Sequence, residues 1–129
     1  MNDKPVQRKA RFYFDTAASP SHVTFDDGKE ERQNFPWSLY VKASWSHTEL
    51  DLIRVEIGDY LVLLRGHNLG PLFLAIEDRA LNRVRARPDL EDDRANEPDS
   101  FVTGVLFQKA EPASPLGGKG KQSEIALFG

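Results

Sequence analysis

Apolar and polar positions alternate over several short stretches of this chain, and in one stretch they follow a helical repeat. The clearest alternation is at residues 52–57, where Ile53, Val55 and Ile57 fall on one side and Arg54 and Glu56 on the other. Gly58-Asp59 follows as a two-residue turn, and residues 60–65 return as a nearly all-apolar strand. That pattern predicts a β-hairpin whose second strand is central, because a strand apolar on both faces needs cover on both. Residues 38–45 set Leu39, Val41, Ala43 and Trp45 against Tyr40, Lys42 and Ser44, and residues 101–107 set Phe101, Thr103, Val105 and Phe107 on one face, with Gly104 marking a bulge or a close backbone approach. Residues 11–15 read as a short aromatic strand and residues 22–25 as another. Asp26-Asp27-Gly28 supplies a tight turn, and residues 29–36 read as a charged loop.

The helical repeat begins after a break at residues 66–71, where Pro71 suits the first helical turn because its missing N–H would be unpaired there. Leu72, Phe73, Ile76, Ala80 and Val84 recur at helical spacing, with Glu77, Asp78, Asn82 and Arg83 opposite, which predicts an amphipathic helix from Pro71 to about Val84. Residues 89–100 are rich in Asp and Glu and read as an exposed loop. The elements together imply an α+β fold: a curved, partly barrel-like antiparallel sheet of about five or six strands with one helix packed on it. Its expected core is Phe12, Phe14, Leu39, Val41, Ile53, Val55, Leu61, Leu63, Leu72, Phe73, Ile76, Val105 and Phe107. Residues 1–110 form the single expected domain. Residues 111–129 read as a flexible Pro/Gly/Lys linker ending in an apolar tip.

Composition narrows the function classes. A chain of 129 residues, 40% hydrophobic and 29% charged, has the size of one ordinary domain. The apolar runs are too short to span a bilayer and the first residues lack the apolar segment of a secretory signal, so the expected setting is cytoplasmic, with no membrane contact. The absence of cysteine excludes disulfides, thiolate metal sites and a cysteine nucleophile. A net charge of -3 argues against a domain whose main affinity comes from neutralising phosphates.

Candidate chemistry is sparse. His22, His47 and His67 lack the close spacing that gathers metal ligands, so no metal and no cofactor is expected. No Walker loop, dinucleotide glycine fingerprint or Gly-x-Ser-x-Gly elbow occurs, and the paired acids fall in turns or loops, where carboxylates are solvated. No catalytic residue is assigned, and the balance leans away from an enzyme. The polar turn at residues 65–71 is a candidate anion or small-ligand site: Arg65, His67 and Asn68 feed a helix start whose N–H groups are free. A structural turn, with Asn68 helping to cap the helix, is the favoured explanation of the same residues. Arg79, Arg83, Arg85 and Arg87 lie along the expected helix and its exit, but the acids at 89–93 follow at once, which weighs against direct nucleic-acid binding by the body.

The tail offers a further contact surface. Gln122, Ile125, Leu127 and Phe128 place anchors of the kind a hydrophobic cleft accepts at the end of a polar linker. The run 124–129, Glu-Ile-Ala-Leu-Phe-Gly, resembles the short peptide by which bacterial replication and repair proteins dock on the ring-shaped sliding clamp, with Glu124 where that peptide carries glutamine. A register starting at Gln122 restores the amide, and there it is similar to the clamp-binding box of archaeal and eukaryotic proteins, with Gly129 in place of an aromatic. The resemblance implies a sliding clamp as partner. Pairing of the same side chains with a sheet edge of the chain itself or of a second copy is the competing expectation. The functional expectation is therefore a non-catalytic interaction or adaptor domain that contacts a protein through its tail or a sheet edge. The alternative is an anion- or small-ligand-binding domain, or a modest enzyme, using the turn at 65–71.

Overall fold

Alternation at residues 52–57 and 60–65 produces the predicted hairpin in the computed structural model, which describes residues 9–110. Strand β5 (Leu52–Ile57) runs antiparallel to β6 (Tyr60–His67), with Ile57 opposite Tyr60 across the two-residue turn and Gly58 at φ +58°. β6 is flanked on its other side by β8 (Phe101–Lys109), and β4 (Tyr40–Trp45) pairs with β5, giving a sheet ordered β4-β5-β6-β8. A second sheet is ordered β1-β7-β2-β3, from β1 (Phe14–Thr16), β7 (Leu81–Arg85), β2 (His22–Asp26) and β3 (Arg32–Pro36). The fold is mixed α+β and mostly sheet, with two four-stranded sheets in place of one sheet of five or six strands.

Two further corrections account for the second sheet. Residues 32–36, expected in a charged loop, are strand β3, paired with β2 from His22↔Pro36 to Asp26↔Arg32. The helix expected to reach Val84 stops earlier: α1 spans Gly70–Glu77, and Leu81–Arg85 is strand β7. Arg79 takes the left-handed conformation at φ +52°, its N–H donates to the Ile76 carbonyl at 2.9 Å, and the Ala80 N–H donates to the Ala75 carbonyl at 2.8 Å. These two bonds are the closure by which helices end at a left-handed residue. β7 then enters between β1, antiparallel, and β2, parallel.

One core serves both sheets. Val23, Phe25, Phe35, Val84 and Ala86 from the first sheet, Ile53, Val55, Ile57, Val62, Leu64 and Val102 from the second, and Leu72, Ala75 and Ile76 from α1 are buried in a single cluster. Trp37 sits between the sheets in a short 3-10 turn, Trp37–Leu39, and its indole N–H donates to the Leu81 carbonyl at 3.0 Å. At one corner the sheets are bonded together: Arg87 N–H donates to the Val102 carbonyl at 2.7 Å, and Tyr13 N–H to the Ser100 carbonyl at 2.9 Å.

Of the expected core, Ile53, Val55, Leu72 and Ile76 are buried, and Phe14, Phe73, Val105 and Phe107 pack against the cluster half-buried. The β6 register is the reverse of the expected one: Val62 and Leu64 face the core, while Leu61 and Leu63 look to the open side. Leu39 and Val41 are exposed because the Trp37–Leu39 turn and a bulge after Tyr40 invert the alternation of that segment. Phe12 is also exposed. Gln122, Ile125, Leu127 and Phe128, and with them the clamp-docking reading, lie outside the described residues, as does the expected linker.

Gly66 marks the bulge where β6 shifts against β8. A Cβ there would overlap the Phe101 carbonyl oxygen and stand 2.7 Å from the Val102 Cα, so backbone must move to admit it. Gly66→Ala is expected to destabilise the protein by about 1–3 kcal/mol, the usual cost of overpacking. A urea unfolding midpoint unchanged from wild type would contradict this close approach.

Candidate functional site

Residues 83–87 read Arg-Val-Arg-Ala-Arg, and on an extended strand such alternation sends every second side chain to one face. Val84 and Ala86 are buried in the shared core, which directs Arg83, Arg85 and Arg87 to the opposite side. β1 lies alongside, with Asp15 in register with Arg83 and Phe14 with Val84. The three arginines, residues Phe12 to Asp15 and Asp89 line an open groove of about 600 Å³, with Gly28, Ala86 and Pro88 also in its lining. Gly28 carries φ +77°, and a Cβ there would stand 2.9 Å from the Ala86 carbonyl oxygen, so the β2–β3 turn reaches the groove only because this residue is glycine.

Charge and aromatic surface are distributed unevenly along the groove. Arg87 donates Nε–H to Asp89 Oδ1 at 3.0 Å and an Nη2 proton to Oδ2 at 2.9 Å, and its guanidinium lies over the Tyr13 ring at 5.5 Å. The hydrogen bond from Arg87 holds the Asp89 carboxyl below the usual carboxylate range, and the same bond raises the Arg87 pKa. Arg83 and Arg85 form no ion pair and no side-chain hydrogen bond among the described residues. Three arginines face two aspartates, so the lining is net positive on a chain of net charge -3. Phe12 is 55% exposed, and its ring is stacked on Phe14 at 5.6 Å with 10° between the planes. Phe14 is the register partner of core-facing Val84, so the Phe12–Phe14 stack lies on the core side of this pair of strands.

At the turn at 65–71 the polar side chains bond to other parts of the chain. Arg65 pairs with Asp51 at 2.6 Å. The His67 ring donates from Nε2 to the Glu97 carbonyl at 2.7 Å and packs on Phe101 at 5.3 Å, while the Asn68 amide donates to the Pro98 carbonyl at 3.2 Å. Asn68 holds φ +53°, and α1 has no side-chain cap. Arg65 and His67 do border a shared cavity of about 180 Å³, but Asp51, Glu91, Asp93 and Glu97 border it as well, which makes it acidic. The bonds of His67 and Asn68 fasten the β6–α1 turn to the loop before β8.

His22, His47 and His67 come from separate places: the start of β2, the turn between β4 and β5, and the end of β6. Among the described residues no group of three or more His, Asp or Glu side chains could hold a metal ion, and no helix is long and apolar enough to cross a membrane. On the expected helix these arginines would be scattered around its axis. The polar-apolar alternation of 83–87 was the signal that would have aligned them.

No protein-family model, curated protein or solved structure matches this chain.

The Arg87–Asp89 pair has a defined pH dependence. Because the folded carboxyl titrates below its ordinary 3.8, the interaction is fully present above that value and disappears as pH falls through the lower, folded one. A carboxyl-carbon NMR titration is expected to give Asp89 a midpoint below 3.8, moving upward in Arg87→Ala. An Asp89 midpoint indifferent to that substitution would rule out the pairing as its cause.

Proposed function

We propose that this chain is a non-catalytic binding domain whose β1–β7 groove holds an anionic ligand. The observation that carries the reading is the unpaired state of Arg83 and Arg85, two guanidiniums presented on one face of β7 with no ion pair or side-chain hydrogen bond among the described residues. A guanidinium offers five donors in a planar fork that suits phosphate and carboxylate oxygens, and two side by side recognise a multivalent anion better than a single charge. Arg87, already bonded to Asp89 and seated on Tyr13, gives the end of the groove a fixed shape before any ligand arrives. Pre-organisation of this kind lowers the ordering cost of binding. Among the described residues that line the groove no nucleophile is paired with a base, which supports a binding role over a chemical one.

A second reading, protein contact through the other sheet, is favoured by a separate observation. On the open face of that sheet Leu63 lies in register with Leu106, which is 53% exposed, and β8 is an outer strand. An apolar row beside a sheet edge is a surface that an added strand from a partner can cover.

Tripolyphosphate tests the first reading. Titrated into the full chain and followed by amide chemical shifts, it is expected to move signals at residues 12–15 and 83–89 and to leave residues 65–69 in place. Arg83→Ala/Arg85→Ala is expected to weaken binding by about tenfold or more, since charge-assisted bonds contribute about 1.5–3 kcal/mol each. Shifts centred on residues 65–69, or equal affinity in the double variant, would dismiss the groove as the anion site.

A further inference from the structure

Resting on the second reading, protein contact through the β4-β5-β6-β8 sheet, we propose that the partner is a second copy of this chain, joined β8 to β8 in antiparallel register about a two-fold axis at Leu106. An outer strand presents a row of unpaired N–H and C=O groups, and folds blunt such edges with charge, proline, bulges or short length. Three of the four outer strands are blunted in that way. β1 is three residues long and irregular between Asp15 and Thr16, β3 carries Arg32 and Pro36, and β4 carries Lys42 and a bulge after Tyr40. β8 is nine residues long and reads Phe-Val-Thr-Gly-Val-Leu-Phe-Gln before its single charge at Lys109. Past Val102, whose carbonyl accepts the Arg87 N–H, the backbone of residues 103–109 bonds to β6 and to no other described element.

β8 is also complementary to itself. With the axis at Leu106, that residue stands opposite its own copy, Val105 opposite Phe107, Gly104 opposite Gln108 and Thr103 opposite Lys109. No like charges meet along the seam, although a net charge of -3 makes two copies repel at most other approaches. Residues directly opposite share a face, so on the open side Leu63 and Leu106 of each copy join into one apolar row. Leu106, 53% exposed in the single chain, is covered there, and the half-buried Val105 and Phe107 gain cover on the core side.

Charge favours the same register. Lys109 of one copy arrives at Thr103 of the other, and Thr103 borders the cavity lined by Asp51, Glu91, Asp93 and Glu97. The two-fold axis makes this cation-to-acid approach twice. A seam confined to residues 103–109 is short for a permanent interface, so the pairing is expected to be reversible and to depend on concentration.

Sedimentation equilibrium of the full chain is expected to show monomer and dimer. Leu106→Lys sets two ammonium groups face to face and is expected to weaken the dimer by about tenfold or more, with an unchanged circular dichroism spectrum. Leu74→Lys, at a similarly exposed leucine of α1, is expected to leave it intact. Because the chain has no cysteine, single introduced thiols map the register. Leu106→Cys places its two Cα atoms about 5 Å apart, within the span of about 4.4–6.8 Å that disulfides bridge, and is expected to cross-link under mild oxidation. Lys109→Cys sets its two copies six strand positions apart, roughly 20 Å, and is expected to stay unlinked. Equal cross-linking of the two cysteine variants, or a dimer that withstands Leu106→Lys, would overturn the β8 pairing. A chain monomeric at every concentration would overturn it as well, and a synthetic peptide of residues 101–109 then tests the reading beneath it. Amide shifts on β8 when that peptide is added leave the edge standing as a contact surface for another protein; no shifts there remove that reading too.

Discussion

Each of the two sheets has one apolar face and neither can hide it alone, so the whole fold depends on burying those two faces in a single core. β5 and β6 contribute Ile53, Val55, Ile57, Val62 and Leu64, and β2, β3 and β7 contribute Val23, Phe25, Phe35 and Val84. Burial of apolar area is the dominant favourable term in folding, and here both sheets draw it from the same cluster. Everything polar on β7 follows from that demand. Once Val84 and Ala86 are committed to the core, the period of two leaves Arg83, Arg85 and Arg87 no choice but the outer face. The groove is thus a by-product of core packing at its base and of β1 and the β2–β3 turn at its walls.

Much of the fold was legible because strand periodicity is strong where one face is dry. The β5–β6 hairpin stood out through Ile53, Val55 and Ile57 and a Gly-Asp turn, and β8 through alternating aromatics and β-branched residues. β3 was hidden by its composition: in Arg32-Gln33-Asn34-Phe35-Pro36 only Phe35 is buried deeply, as suits the outer strand of a sheet. β7 was hidden by coincidence. Ala80 and Val84 continue the spacing of Leu72 and Ile76, and the residue that interrupts the helix is an arginine in a left-handed conformation, where glycine is the usual signal. The candidate site was misread for the same reason, since placing 83–87 on a helix divides three aligned arginines among different faces. Phe12 could not have been assigned to a surface by pattern alone. Its neighbour Phe14 packs against the core with the same periodicity, and only the three-dimensional end of the sheet separates the two.

The turn at 65–71 shows how a polar cluster can be entirely architectural. Its donors are spent on the carbonyls of Glu97 and Pro98, and so the loop after β7 and the loop before α1 hold each other. The groove differs in that Arg83 and Arg85 make no ion pair and no side-chain hydrogen bond among the described residues, although the charge of Arg85 is felt by the Asp89 carboxylate. Unspent donors in a shaped cleft, more than polarity as such, separate a candidate site from a brace.

The insertion of β7 between β1 and β2 also governs when the first sheet can exist during synthesis. Pairs such as Phe25↔Val84 and Phe14↔Val84 join residues far apart in the chain, so the N-terminal strands have no central partner until β7 has left the ribosome. Long-range pairings of this kind close slowly, and until they do the unpaired edges and apolar side chains remain open to other chains. The β2–β3 and β5–β6 hairpins need only their own turns and can form as they emerge. In a growing chain these local pairs therefore precede the joining of β1 and β2 to β7, and the groove takes shape only with that joining.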